Sequence, residues 1–478
     1  MTVTTKGPLP SETYDVTVVG AGVVGSAIAR ELARHHGIRV ALVEASGDVG
    51  DGTSKANTAI LHTGFDAVPG SLESRLVREG RHLLAAYAAR SGIPVEPVGA
   101  LLVAWDEEQL AALPDLLEKA GRNGYDKARI IGADEVRARE SHLGEGALGA
   151  LDVPGESIIC PWTTTLAYAT QAVRGGVDLH LNCRVDKASS ASRGGYRELS
   201  TPRGALRTRY LVNAAGLHAD TLDRRLLGRS EFTVTPRRGQ LIVFDKLARD
   251  LVRHILLPVP TALGKGVLVA PTVYGNVLLG PTAEELDDKR ATGTTQDGLA
   301  GLRSKGRRIL PELLDEEVTA VYAGLRAATE HDDYQIHGSP QERYITVGGI
   351  RSTGLTASMA IAEYVVGLLA EASGPDLDLS VAGDLDPIRM PNLGEAFPRP
   401  YERADLIATD PAYGSIVCHC ERVTRGEIRD ALISTVPPGS LDGLRRRTRA
   451  RGGRCQGFYC GATVRELFDG WGESGAAR

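Results

Sequence analysis

Four of the six cysteines fall near the C-terminus, as Cys418-His-Cys420 and Cys455-Gln-Gly-Phe-Tyr-Cys460. Thiolates two residues apart point to similar places, and the second pair closes a four-ligand set. Soft sulfur ligands of this number suit a [2Fe-2S] cluster or zinc. Both remain open on spacing alone, as does an empty site. Between the pairs, Thr424–Leu432 reads as a helix that starts at a Thr cap, with Glu427 at the capping-box position. A domain this small needs a metal staple to fold. Cys160 and Cys183 lie far from the quartet and read as ordinary buried residues.

A second chemical signature opens the chain. Gly20-Ala21-Gly22-Val23-Val24-Gly25 stands between an apolar run, Tyr14–Gly20, and a helical stretch from Val23 to about His36. Gly20 permits the tight turn, Gly22 lets the backbone approach a pyrophosphate, and Gly25 lets helix and strand pack closely. The helix N-terminus offers free N–H groups and a partial positive charge to phosphates. Glu44, with Ala45 beside it, ends the next strand, where a carboxylate can accept a ribose hydroxyl and repel a 2′-phosphate. The signature fits a dinucleotide, and its surroundings favour FAD over NAD. The polar loop Gly52–Asn57, with Thr53, Ser54 and Asn57, can wrap a flavin's phosphates and ribityl chain. Asn213-Ala-Ala215-Gly216 is a second small-residue strand end. Val185 is counted with the cofactor-binding residues. Gly349-Ile-Arg351-Ser352-Thr353-Gly354-Leu355-Thr356 opens a late helix whose N-terminus could face the flavin and stabilise negative charge on it.

The elements that position these groups follow from periodicity. Tyr14–Gly20 and Arg39–Glu44 are continuous apolar strands, the pattern of a parallel sheet covered on both faces. Helices are expected at Ser71–Ala89, Thr163–Arg174 and Thr356–Glu371. Strands are expected at Ala100–Ala104, Leu148–Asp152, Arg209–Gly216 and Tyr344–Gly349. Gly239–Phe244, Val267–Pro271 and Val277–Gly280 read as an antiparallel meander with Gly and Asn turns. From Ser373 to Gly414 helical periodicity is lost and Pro and Asp accumulate, as in a long surface linker.

Composition is that of a globular protein, 42% hydrophobic and 24% charged, with a net charge of −5. No global basic field is present to attract nucleic acid. The run Arg445-Arg446-Arg447-Thr448-Arg449 is either a solvated face or a docking site for an acidic redox partner. No signal-peptide pattern or stretch of membrane-spanning length is read from the sequence. The cysteine asymmetry argues for a reducing compartment. Cytoplasmic residence is expected, peripheral to the membrane where a partner holds it there.

Together these residues resemble the D-amino-acid-oxidase-like superfamily of flavoproteins, over most of residues 14–370. Within it the chain is most similar to glycerol-3-phosphate dehydrogenases and oxidases, and also similar to L-2-hydroxyglutarate oxidases. The resemblance rests on Ala59-Ile-Leu-His62-Thr-Gly64, Val212-Asn-Ala-Ala-Gly-Leu217, Gly264-Lys265-Gly266, Gly324-Leu-Arg326-Ala and Gly349–Thr356. It implies an α/β FAD domain of 12–91, 149–231 and 336–372, interleaved with an antiparallel-sheet substrate domain of 92–148 and 232–335. A linker, 373–414, and a cluster domain, 415–470, would follow. It further implies hydride transfer from a secondary alcohol, or in other branches an amine, to flavin N5. His62 matches the family's base; a neutral imidazole suits that work near neutral pH. Arg326 matches the arginine that holds the substrate's anion, whether phosphate or carboxylate. Lys265 matches a lysine near the same anion. Ser352 and Thr353 could add hydroxyl donors, and Arg351 either holds substrate or only supports its loop. The tail resembles the bacterioferritin-associated-ferredoxin-like [2Fe-2S] domain, which also ends the large subunit of anaerobic-type glycerol-3-phosphate dehydrogenases. The expectation is therefore an FAD/[2Fe-2S] dehydrogenase. Its substrate would be a small anionic 2-hydroxy compound, glycerol 3-phosphate first and L-2-hydroxyglutarate second. Electrons would pass to an acceptor protein or a quinone-linked subunit. The alternatives are amine or amino-acid oxidation, and a non-catalytic electron-transfer or sensor subunit.

Overall fold

The computed structural model describes residues 3–35, 37–189, 195–260 and 266–475. Its first sheet is built on six parallel strands in the spatial order Val3–Thr4, Asp178–His180, Val40–Val43, Tyr14–Val19, Gly204–Asn213 and Tyr344–Gly348. Helix Val23–Leu32 crosses from the first strand, and helices Pro161–Arg174 and Gly354–Ser373 pack against it. Leu42, Val16, Val18 and Val212 are fully buried between these layers, which is why their strands read as unbroken apolar runs.

By length and composition the stretch Gly354–Asp376 could cross a membrane, which the sequence reading passed over. In the fold its helix lies in the core between helices Val23–Leu32 and Leu72–Ser91. Ser71 caps the latter through Ser74 N–H, at the expected start.

The second sheet draws on two stretches of sequence. Strands Ala100–Ala104, Arg129–Gly132 and Gly149–Val153 join strands from Thr235 onward. Thr235–Phe244, Val277–Gly280 and Leu268–Pro271 form the expected meander; Ile255–Pro258, not among the expected strands, pairs with the last of them and runs parallel to Ala100–Ala104. Gly149–Val153 pairs with Ala100–Ala104 and so belongs to this sheet, moving the boundary expected at 149 past the strand. Strand Val318–Ala328, absent from the sequence reading, pairs with Thr235–Phe244 along nearly its whole length. Helices Glu107–Arg122 and Gln296–Ile309 also add to the expected elements.

The segment after Ser373 is no surface linker. Leu377, Ile388, Met390 and Leu393 are buried in the main core. Met390 N–H donates to Ser91 O (2.7 Å), Ala382 N–H to Arg34 O (2.7 Å) and Glu395 N–H to Val273 O (2.9 Å). Its apolar residues are too widely spaced for a helix, yet Leu377, Ile388, Met390 and Leu393 each reach the core while Val381 and Phe397 stay exposed, and the backbone is stitched down between them. The strap leads into the small tail domain, where Thr424 and Glu427 form the expected capping box on helix Arg425–Leu432.

Candidate functional site: a flavin cradle beside a cysteine quartet

Gly20 turns the chain with φ +102°, and a side chain there would strike the Ala214 carbonyl. One at Gly25 would collide with the Gly20 carbonyl. Gly22 heads helix Val23–Leu32 and offers no side-chain cap of its own, so apart from the Val23 N–H held by Ser54 the helix N-terminus can face an anion. The Glu44 carboxylate accepts Ala21 N–H (2.7 Å) and Ser46 N–H (2.8 Å), one on each oxygen. Each oxygen keeps lone pairs for a ribose. Burial pushes this carboxyl above its usual range, against the pull of the Ser46 and Ala21 amides. Ala45 is exposed, while Val185 packs with Val19 and Val43 behind the strand ends. Asn213 Oδ1 accepts Ala215 N–H (3.1 Å) and fixes the turn into Gly216, φ +56°. A glycine-headed helix end, a carboxylate beneath it and glycines where the backbone must come close fit a flavin dinucleotide.

The loop expected to wrap the flavin is held from three sides. Ser54 Oγ accepts Val23 N–H (2.9 Å), and Asn57 Oδ1 accepts Ala59 N–H (2.8 Å). Thr53 Oγ1 donates to Leu325 O (2.9 Å), and Tyr322 Oη donates to Asn57 O (2.8 Å). Gly324 carries no side chain because the Ala56 carbonyl fills that space. Tyr322, Gly324 and Arg326 alternate along one strand, so Arg326 shares the face that meets this loop.

His62 follows the short strand Ile60–Leu61. Its N–H donates to Thr356 Oγ1 (3.0 Å), tying it to the start of the late helix beyond Gly354 and Leu355. Its Nδ1 lies 3.0 Å from Glu156 Oε2. Glu156 is fully buried, and its other oxygen accepts Thr63 N–H (2.6 Å) and Thr63 Oγ1–H (2.8 Å). This carboxylate, missed in the sequence, fixes the ring and directs Nε2 away from it. Its only sequence signal was an acid in the Gly155 turn between two apolar strands.

Arg326 is partly buried, and no carboxylate among the described residues pairs with it. Burial lowers its affinity for a proton, and the Arg237 cation across the sheet lowers it further. Gly239 leaves room above the guanidinium. Arg351 has a different setting. It pairs with Glu73 (3.1 Å) and bonds the Asp332 carbonyl. Thr353 Oγ1 donates to the same Glu73 (2.6 Å) and lies 2.6 Å from Tyr334 Oη. Of the two roles open to Arg351, support of the loop is the one these contacts satisfy. Ser352 is exposed, and Gly349 makes the turn before it with φ +65°. Lys265 lies outside the described residues.

In the tail, the thiol of Cys418 faces Cys460, and that of Cys420 faces Cys455. Among the described residues no three His, Cys, Asp or Glu side chains gather tightly enough for a single ion. Four thiolates so placed can hold the two irons of a [2Fe-2S] cluster, two on each. The Tyr459 amide, joined by those of Gly457 and Phe458, holds Cys455 below the usual thiol range, whereas burial pushes Cys418 up to about 11. Cys160 is more than core filling, since its Sγ caps helix Pro161–Arg174 and meets Tyr274 Oη at 3.0 Å.

The arginine run is neither a solvated face nor free for a partner. Arg447 forms two 2.7 Å bonds to the buried Asp48, one to each oxygen. Arg446 adds a third at 3.1 Å and also pairs with Asp51 and Asp442. The acidic partner is the FAD domain itself, one turn beyond Glu44. There Gly439 meets the Gly47 backbone so closely that a side chain at Gly439 would not fit.

Residues 15–368 match the FAD dependent oxidoreductase family, and residues 416–469 match the BFD-like [2Fe-2S] binding domain. The chain is an FAD-dependent oxidoreductase with a [2Fe-2S] domain. This oxidoreductase is 36% identical over 458 residues to a glycerol 3-phosphate dehydrogenase of Caloramator mitchellensis, covering 95% of this chain and 94% of that protein. It is 29% identical to a mitochondrial L-2-hydroxyglutarate dehydrogenase of Nematostella vectensis, over 57% of this chain and 63% of that one. Among solved structures it resembles the dithionite-reduced L-alpha-glycerophosphate oxidase of Mycoplasma pneumoniae with FAD bound. That match has a TM-score of 0.71 and 28% identity, and covers 80% of this chain and 98% of the other. The Caloramator likeness spans both domains of the oxidoreductase.

Proposed function

We propose that the chain is a dehydrogenase of glycerol 3-phosphate whose electrons leave through the [2Fe-2S] domain. The observation that carries this reading is Arg326, a partly buried guanidinium with no carboxylate partner among the described residues and a second arginine across the sheet. Such a cation calls for an anion from outside, and its planar donor fork suits a phosphate. The full-length likeness to a glycerol 3-phosphate dehydrogenase supports the choice of anion.

A bound flavin would supply the hydride acceptor. His62 would take the hydroxyl proton of the substrate at Nε2, because Nδ1 is turned to Glu156. Arg326, on the strand beside the flavin loop, would fix the other end of the substrate. Lys265 is proposed to assist it. Tying His62 to Thr356 and Glu156 holds its ring ready, and the gain is chiefly positional.

Anaerobic mixing of the flavoprotein with a panel of small molecules tests the reading. Glycerol 3-phosphate is expected to bleach the flavin band, L-2-hydroxyglutarate to do so more weakly, and amines not at all. Bleaching by amines alone would overturn it. Arg326→Ala is expected to weaken substrate binding by about 2–5 kcal/mol, the usual worth of one partner of a buried charge pair. Titration of the flavin spectrum measures this, and equal affinity in mutant and parent would remove Arg326 from the anion site.

A further inference from the structure

Arg449 ends helix Leu441–Thr448 in the left-handed region, φ +72°. Glycine is the usual residue there, and an arginine bears backbone strain that its side chain must offset. Nothing in the cap itself needs that side chain, which turns inward and is only 7% exposed. Its Nε donates to Glu421 Oε2 (3.1 Å), and its Nη2 donates to Asn276 Oδ1 (3.0 Å). Glu421 directly follows the cluster ligand Cys420. On the other side, the guanidinium carbon lies 4.4 Å from the centre of the Tyr274 ring and 5.8 Å from that of Trp162. These two rings stack on each other, 5.0 Å apart and 22° from parallel. Trp162 Nε1–H donates to Lys55 O (3.0 Å), in the loop that cradles the flavin.

One unbroken run of bonded and stacked groups therefore joins a cluster ligand to the flavin loop: Cys420, Glu421, Arg449, Tyr274 with Trp162, and Lys55. We propose that Arg449, Tyr274 and Trp162 form the bridge over which electrons cross from the flavin to the cluster. This rests on the reading that electrons leave through the tail. Holding the tail in place does not require Arg449. Asp48 already clamps Arg447, and Lys246 also pairs with Glu421 at 3.1 Å.

The chemistry balances as follows. A hydride from substrate brings two electrons and one proton onto the flavin. Each crossing carries one electron and takes one ferric iron of the oxidised cluster to ferrous. An external one-electron acceptor removes that electron before the second crossing. The proton leaves to water, and the bridge residues keep their oxidation state.

The test uses the full chain carrying both cofactors. Arg449→Gly removes the side chain and relieves the backbone, so a cap with only a structural role is kept or improved. Trp162→Leu removes the ring from the FAD domain, away from the cysteine loops. Cofactor content and the electron paramagnetic resonance signal of the dithionite-reduced cluster are expected to match the parent in both variants, and the midpoint potential to match it in Trp162→Leu, which leaves the buried Arg449–Glu421 pair in place. After anaerobic rapid mixing with glycerol 3-phosphate, the flavin is expected to bleach at the parent rate. Cluster bleaching is expected to follow about tenfold more slowly or worse, one decade of rate. Parent-like cluster bleaching in either variant, with both cofactors in place, would overturn the bridge. If Arg449→Gly fails to assemble its cluster, Trp162→Leu decides. If substrate fails to bleach even the parent flavin, the proposed function falls. Photoreduction of the flavin then starts the same crossing, and the same comparison still decides the bridge.

Discussion

Replacing His62 by alanine is expected to slow flavin bleaching by substrate about 10²–10⁴-fold, the range over which a positioned base speeds a reaction. FAD should remain bound, since the cradle is built from Gly20–Gly25, Glu44 and the loop at 53–57. The loss comes from the hydroxyl proton, which must depart as hydride leaves carbon and would otherwise pass to water. Glu156→Gln should lose rate in the same direction for a different reason. A glutamine N–H facing Nδ1 forces the ring proton onto Nε2, the atom required to be bare. Rapid-mixing absorbance measures both variants. A His62→Ala enzyme that bleaches at the parent rate would return this histidine to a structural role.

The second large effect is expected at Asp48. It is 2% exposed and receives three bonds from Arg446 and Arg447. Arg446 has other carboxylates to turn to, in Asp51 and Asp442; Arg447 has none among the described residues. Asp48→Ala therefore strands a buried cation, and removing one partner of a buried pair costs about 3–5 kcal/mol. The tail should come off the FAD domain at a lower temperature, and the strap at 374–415 should become open to proteolysis. Because Asp48 lies four residues beyond Glu44, weaker FAD retention should accompany the change. A melting profile and FAD affinity equal to the parent's would show that the clamp does not hold the tail.

What could be read from the sequence was local. The glycine turn and the capping box at Thr424 and Glu427 each act within a few residues, so spacing alone carries them; the cysteine spacings mark the four ligands but not that Cys418 faces Cys460 and Cys420 faces Cys455. Ala100–Ala104 and Val277–Gly280 were legible because continuous apolar runs leave few alternatives. What failed was long-range. The Asp48–Arg447 pair spans 399 residues, and nothing near either end marks its partner. Arg447 read as a surface charge for that reason. Strand Val318–Ala328 is rich in Ala and has several exposed positions, so its own pattern is weak; its partner strand Thr235–Phe244 makes it. Glu156 gains meaning only from the fold that sets it against His62. The strap misled most, because Pro and Asp spacing reports the absence of a helix and says nothing of burial.

That strap bears on how the protein meets its acceptor. A tail tethered by some forty free residues could ferry electrons by swinging. Buried at Leu377, Ile388, Met390 and Leu393, and clamped beyond at Asp48, this one is a fixed terminal. Delivery then depends on encounter. At low acceptor, turnover should rise in proportion to acceptor concentration and fall with solvent viscosity through the acceptor's own diffusion. On the proposed reading, the supply of carrier would then set the pace of turnover.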